Sequence, residues 1–144
     1  MMPRPHLLFM ALGCGLIAGT ARSQEATPAP VLSLELNALE PGDQGCRITF
    51  VVTNGLEGEL SKSAFEIALF DADGRIDRLA ILDFGQLPEG KTKVRRFDLN
   101  GTHCDSIGRV LINDATECSG PGIGPSSCID RLETRSKAGV AFGS

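Results

Sequence analysis

The sequence lacks tryptophan and tyrosine, and phenylalanine is its only aromatic residue, present seven times in 144 residues. Sugar-binding sites normally offer large aromatic platforms, so this composition speaks against a carbohydrate-active site. The chain also lacks an excess of basic residues. Its formal charge of −4 excludes a strongly basic nucleic-acid-binding protein. The overall usage, with 42% hydrophobic and 22% charged residues, is ordinary for a globular domain.

Sequence motifs for common enzymatic chemistries are missing as well. The chain contains no P-loop, no dinucleotide-binding fingerprint and no HExxH zinc motif. Its serines lack the flanking glycines of a nucleophile elbow. His103, the only histidine beyond the first six residues, follows a turn-forming Asn-Gly pair and adjoins a cysteine. We therefore expect a protein that is not an enzyme and that needs no cofactor.

The first 23 residues are typical of a secretory signal peptide. Arg4 supplies a positive charge, and residues 7–18 form an uncharged apolar run that is too short to span a bilayer. Ala21-Arg22-Ser23 has the small-x-small form that signal peptidase prefers, which predicts cleavage after Ser23. Lipidation at Cys14 is the alternative, but the residue three positions before it is not a large aliphatic one, and the apolar run continues beyond it.

Export of this kind changes the properties of the mature chain. Cleavage removes two arginines and no acidic residue, so the formal charge changes from −4 to −6. We expect a periplasmic or secreted protein with no membrane-spanning segment in its mature form. An acidic domain of this kind favours neither nucleic acid nor an anionic membrane as its partner.

Beyond the leader, apolar and polar residues alternate with the period of two that is typical of β-strands. Turn sequences rich in Gly, Asp, Asn and Pro separate the runs, as at 40–43 and 71–74. No segment has the sustained period of a helix, although a single helical turn is conceivable near 126–130. The predicted strands cover residues 32–36, 46–53, 65–69, 76–84, 93–99, 109–113 and part of 130–142.

About seven short strands at this turn spacing predict an all-β fold, an antiparallel immunoglobulin-like β-sandwich. We expect one such domain over residues 31–144, after a short polar leader at 24–30. The usual side-chain hallmarks of the immunoglobulin fold are absent, because the core tryptophan and the tyrosine corner need residues that this chain lacks.

Four cysteines remain after cleavage, namely Cys46, Cys104, Cys118 and Cys128. An even number in an exported chain predicts two disulfide bonds, and a zinc site is the weaker interpretation because no CxxC pair is present. Three pairings are conceivable. A strand within 107–113 would span about 23 Å, which disfavours closing Cys104 onto Cys118. The sequence therefore favours Cys46–Cys104 across the domain and Cys118–Cys128 over a Gly/Pro/Ser-rich loop.

Four stretches of the sequence resemble a family of small exported bacterial proteins that are often labelled Tat pathway signal sequence domain proteins. These stretches are LELNAL (34–39), CRITFVVTN (46–54), residues 68–99 and RVLINDATEC (109–118). The resemblance covers most of residues 31–137 and implies a periplasmic or secreted domain. It implies no active site, so it assigns no role to any residue of this chain. The adjacent arginines of a Tat signal are absent from the sequence.

Two clusters of charge are candidate sites. Asp71, Asp73 and Asp77 are spaced as a short loop that could supply calcium ligands, but the later ligands of an EF-hand loop are missing, so a hairpin turn with solvated carboxylates is the stronger interpretation.

A basic run follows, made of Lys91, Lys93, Arg95 and Arg96. It could form an interaction face for an acidic partner, while protection of an exposed strand edge is the alternative that we favour.

The sequence therefore predicts a disulfide-stabilised binding or scaffolding domain whose partner is another exported or envelope protein. Residues 119–127 and 91–96 are the candidate contact regions. An inhibitor of an exported enzyme, with 119–127 as its rigid loop, is the alternative hypothesis. A small hydrolase that uses Asp71, Asp73 and Asp83, or a metal bound there, is a third.

Overall fold

The computed structural model describes Met1 and residues 19–144. Residues 2–18, with Cys14 and most of the predicted signal peptide, lie outside the described residues. Within the described part, residues 19–31 form no strand or helix. The strands are β1 (Leu32–Pro41), β2 (Gly45–Asn54), β3 (Lys62–Phe70), β4 (Ile76–Asp83), β5 (Thr92–Asn100), β6 (Arg109–Ser119), β7 (Leu132–Ser136) and β8 (Ala141–Gly143). A 3₁₀ turn (Cys104–Ser106) and a one-turn helix, α1 (Ser127–Asp130), complete the fold.

The strands form two four-stranded sheets, and the core lies between them. Sheet 1 has the order β5-β2-β1-β7, and sheet 2 has the order β4-β3-β6-β8. The first, second and fifth strands thus share one sheet, and the third and sixth share the other. An immunoglobulin sandwich divides its strands in the same way, with A, B and E opposite C and F. The predicted all-β sandwich is confirmed.

The alternating sequence explains why these segments pair as strands. In β1 the side chains of Leu32, Leu34 and Leu36 are fully buried, and they alternate with residues on the outer face. The same alternation places Phe50 of β2 in the core, where its ring centroid lies 5.4 Å from that of Phe84. A strand that is apolar on one face gains stability only by covering that face, so the two sheets pack against each other.

The end of the chain differs from the expected single seventh strand. Residues 130–142 contain two strands, because the chain leaves sheet 1 after β7 and crosses to sheet 2 before β8. β7 pairs with β1 and β8 pairs with β6, both in parallel, so the sandwich is not purely antiparallel. The helical turn that the sequence makes conceivable near 126–130 is present as α1.

Both predicted disulfide bonds are present, with the predicted pairing. Cys46–Cys104 joins β2 to the 3₁₀ turn that follows β5 and links positions 58 residues apart. Cys118–Cys128 joins β6 to α1 and links positions 10 residues apart. The protein is therefore a small disulfide-stabilised β-sandwich.

Candidate functional site

The two sheets end on one side of the sandwich in β4 and β5. Each strand has a sheet neighbour on one edge only, among the residues that the structure describes. Two arginines bridge the gap between them in opposite directions. Arg78 of β4 donates from Nη1 to Asn100 O at the end of β5 (2.7 Å), and Arg95 of β5 donates from Nε to Phe84 O just after β4 (2.8 Å). We call this the β4/β5 side, and the contacts show that the two strands run antiparallel to each other.

Large apolar side chains are exposed on this side. Apart from Met1, the large apolar residues that are exposed in the described part of the chain are Ile76, Leu79, Ile81 and Val94. The first three belong to β4 and the last to β5. Their exposed fractions lie between 53% and 64%. Leu79 and Ile81 lie on the outer face of sheet 2, whereas Val94 lies on the outer face of sheet 1. Exposed apolar side chains beside unpaired strand edges on both faces favour contact with a partner over a solvated edge.

The apolar residues of β4 stand on the outer face of sheet 2. Leu79 lies opposite Ala68 of β3, which in turn lies opposite Leu111 of β6, so these three form an apolar row across the sheet. Ile81 lies opposite Glu66, whose carboxylate accepts a hydrogen bond from Asn113 Nδ2 (2.6 Å). This surface was not predicted, although the sequence carries a signal for it, because β4 has apolar residues at both odd and even positions.

The four residues of the predicted basic face do not share one surface. Lys91 precedes β5, and Lys93 and Arg95 lie opposite Val52 and Phe50, which places them toward the inside of the sandwich. Arg96 points to the outer face of sheet 1. The Arg95 guanidinium is occupied by backbone carbonyls, since it donates to Gln86 O (3.1 Å) as well as to Phe84 O. Arg95 therefore braces the fold, and Lys93 and Arg96 remain as exposed cations on the two faces of the same edge strand.

The aspartates of the predicted calcium loop have structural or solvated positions. Asp71 Oδ1 accepts hydrogen bonds from the backbone N–H groups of Asp73 and Arg75, both at 2.9 Å, which fixes the β3–β4 turn. Asp83 lies at the far end of β4, where it accepts a hydrogen bond from the Gly85 N–H (2.8 Å). Residues 19–144 contain no cluster of three or more His, Cys, Asp or Glu arranged to hold a metal ion. The structure does not bring the three aspartates of the hydrolase hypothesis together.

The disulfide-closed loop at 119–127 packs onto the segment that follows β2. Gly120 lies so close to Glu59 O that a Cβ atom at this position would stand 1.9 Å from that oxygen. Ile123 is half-buried and packs against the core. The exposed residues of the loop are glycines, prolines and serines, so it presents no large or charged side chain to a partner.

A buried carboxylate ties β7 to β1. Glu35, 3% exposed, receives hydrogen bonds from Asn37 Nδ2 (2.8 Å) and Arg135 Nε (2.7 Å), and Lys137 Nζ lies 3.3 Å away. The Asn37 amide, then the Arg135 guanidinium and the Lys137 ammonium, lower the pKa of Glu35 from 4.5 to about 2, against a smaller opposing effect of burial. Glu35 is therefore charged at neutral pH and holds β7 against β1.

An open depression of about 560 Å³ lies where the β1–β2 turn meets the loop after β5. His103, Asp105 and Asp43 contribute to its lining, beside the Cys46–Cys104 disulfide. None of these three side chains is buried without a hydrogen-bond partner. The depression gives no specific indication of a ligand.

Comparison of the chain with protein-family models, with curated proteins and with solved structures gives no match. The resemblance to exported bacterial proteins therefore stays a prediction. Among the described residues, none of the helices has the length and apolar character that a membrane crossing requires.

Proposed function

We propose that this protein is an exported, non-catalytic binding or scaffolding domain, and that the β4/β5 side is its binding surface. The observation that supports the proposal is the distribution of exposed apolar residues. In residues 19–144, all four of the large ones lie on two edge strands that face the same side of the sandwich. An unpaired strand edge offers backbone N–H and C=O groups to a partner strand, while neighbouring side chains provide specificity.

Export is the part of the proposal that rests on the sequence and on the two disulfides. Disulfides form and persist in oxidising compartments, and the segment before residue 24 has the pattern of a signal peptide. The partner in this proposal is an exported or envelope protein, either a different protein or a second copy of this chain. An intact mass of the processed protein, measured with and without reduction, tests this part. We expect cleavage after Ser23, no lipid, and a mass that increases by four hydrogens on reduction; a full-length or reduced chain in its native compartment would contradict it.

Site-specific photo-crosslinking tests the binding surface. A benzophenone side chain at position 79 of β4 or 94 of β5 should give cross-linked products in cells. The matched control is position 141, since Ala141 is also an exposed residue of an edge strand but lies in β8, on the opposite side. Products from position 141 alone, or equal products from all three positions, would contradict the proposal.

The inhibitor hypothesis has less support from the geometry. A rigid inhibitory loop usually offers a side chain that anchors it in the enzyme, whereas the exposed residues of 119–127 are small or are prolines. The close packing of Gly120 does make the loop more ordered than its glycine content suggests. Incubation with a panel of exported proteases and lysozymes at micromolar protein tests this hypothesis, and we expect no inhibition.

A further inference from the structure

The charges of the two edge strands on the β4/β5 side differ in sign, and this difference restricts what can pair with them. β4 contains the exposed carboxylates Asp77 and Asp83, and its one arginine, Arg78, is held by Asn100 O. β5 contains the exposed cations Lys93 and Arg96, and its one carboxylate, Asp98, is paired with Arg47 of β2 (2.9 Å). An antiparallel copy of β4 added to β4 would therefore place acidic residues together, and β5 added to β5 would place basic residues together. Like charges directly opposite on neighbouring strands destabilise their pairing.

The arrangement of the edges allows one pairing that avoids both conflicts. β4 and β5 lie side by side at the same open side of the sandwich, as the Arg78 and Arg95 contacts show. Consider a two-fold axis that runs parallel to the strands and lies just beyond the β4/β5 side. Rotation about this axis places β4 of each copy beside β5 of the other, so two equivalent β4–β5 pairings form, one in each layer of the sandwich. Since β4 and β5 are antiparallel within one chain, they are antiparallel across this axis too. The resulting interface is self-complementary and closed.

We propose that the partner on the β4/β5 side is a second copy of this chain, with β4 of each protomer pairing with β5 of the other. Sheet 2 of one protomer then continues into sheet 1 of its partner, and both free edges are covered. The outer-face residues Leu79 and Ile81 of one copy come to the same face as Val94 of the other. The acidic edge meets the basic edge twice. This inference rests on the proposed function, because it names the occupant of the proposed binding surface.

Sedimentation velocity of the processed protein over a wide concentration range is the test. We expect a monomer–dimer equilibrium that shifts toward monomer as salt rises from about 0.05 to 0.5 M, because the attraction between exposed opposite charges is screened. The variants Leu79→Gln/Ile81→Gln on β4 and Val94→Gln on β5 should each weaken dimerisation about tenfold or more. Ala141→Gln, at an exposed residue of an edge strand on the opposite side, should leave it unchanged.

Mixing the two variants gives a result specific to this arrangement. In a mixed dimer one β4–β5 interface carries both changes and the other carries none. Because the proposed arrangement puts Leu79 and Ile81 of one copy next to Val94 of the other, the second change in the same interface removes little that the first has not already removed. A 1:1 mixture should therefore form more dimer than either variant alone. Circular dichroism and a urea midpoint on each variant confirm that the fold is kept; since all these side chains are exposed, we expect unchanged midpoints.

Several outcomes would overturn the inference. A wild-type protein that stays monomeric at millimolar concentration would exclude self-association. A dimer that is insensitive to Val94→Gln would indicate β4–β4 pairing, and a dimer strengthened by salt would indicate pairing of like charges. Assemblies that grow beyond the dimer would exclude a closed two-fold interface. A monomeric protein that still cross-links to a different protein at position 79 would overturn this inference and leave the proposed function intact.

Discussion

The two sheets end on two sides of the sandwich, the β7/β8 side and the β4/β5 side, and the gap between the sheets is closed differently on each. On the β7/β8 side the chain itself crosses from sheet 1 to sheet 2, and Ala138 and Val140 of the crossing pack against the core. On the β4/β5 side the gap is closed by the side chains of Arg78 and Arg95. Where the backbone itself crosses between the sheets, its side chains also cover the apolar residues of that side. A side that is closed by two side chains leaves its strand edges available, and the exposed apolar residues lie there.

Both disulfides start from inner strands, β2 and β6, and not from the edge strands of either side. Loss of a disulfide should give the largest effects on stability. Cys46–Cys104 closes the longer loop, with a sequence separation of 58. Its replacement by alanines should lower the free energy of unfolding by about 4 kcal/mol. The same change at Cys118–Cys128, with a separation of 10, should cost about 3 kcal/mol. Urea denaturation of both double variants measures the difference, and equal losses would show that loop length does not decide it.

Removal of a brace on the β4/β5 side should have the next largest effect. Arg95→Ala leaves Phe84 O and Gln86 O without their donors. The expected loss of unfolding free energy is about 2 kcal/mol, in the range of hydrogen bonds to charged groups. Arg95→Lys is the informative control, since one ammonium reaches two diverging carbonyls less well than a planar guanidinium does. Hydrogen exchange should speed up in β4 and not in β7; equal acceleration in both would contradict a local brace.

Loss of the Glu35 charge should lower the stability of the fold through the β7/β8 side, by an amount that depends on pH. Because the folded-state pKa of Glu35, about 2, lies below its ordinary value of 4.5, its charge stabilises the fold above about pH 4.5, and this contribution is lost as the pH falls toward 2. Glu35→Gln should therefore be less stable than wild type at pH 7, and the two should converge between pH 4.5 and 2. Urea midpoints across this range measure the effect. A constant difference would show that the carboxylate charge is not responsible.

The smallest effect on stability is expected at Thr49, which lies on the outer face of β2, an inner strand between the two sides. Thr49 is 6% exposed, and its hydroxyl is buried without a hydrogen-bond partner. Thr49→Val removes this unpaired group at similar volume and should stabilise the protein by about 0.5–1 kcal/mol. Thr53 is the matched control, because its hydroxyl shares a 2.8 Å hydrogen bond with Thr92, so Thr53→Val should not stabilise. Thermal denaturation of the two variants tests this: the midpoint should rise for Thr49→Val and should not rise for Thr53→Val.

Much of the fold could be predicted from local pattern. Six of the predicted strands lie within or close to the observed ones, because alternation along a strand depends only on which face is buried. The disulfide pairing was also predictable, since a strand between Cys104 and Cys118 holds them apart. The division of 130–142 into β7 and β8 was not, because the segment is short and polar and its pairing depends on the edges that the other strands leave open.

The candidate binding surface was only partly predictable. Residues 91–96 were identified by charge, and this edge does belong to the proposed surface. The sequence could not show that Arg95 turns inward to brace the fold, nor that β4 lies beside β5. Glu35 was missed entirely, because its partners Arg135 and Lys137 lie 100 or more residues away along the chain.

Local patterns were enough to specify the class of fold, the positions of most strands and the two sulfur links, since alternating hydrophobicity and cysteine spacing act along the chain. The packing of the two sheets decided which strand edges stay unpaired. It also decided which charged side chains bond to the backbone across the sandwich, and where apolar residues remain exposed. These features depend on contacts between residues that are distant in sequence, and such residues meet only when the sandwich is assembled.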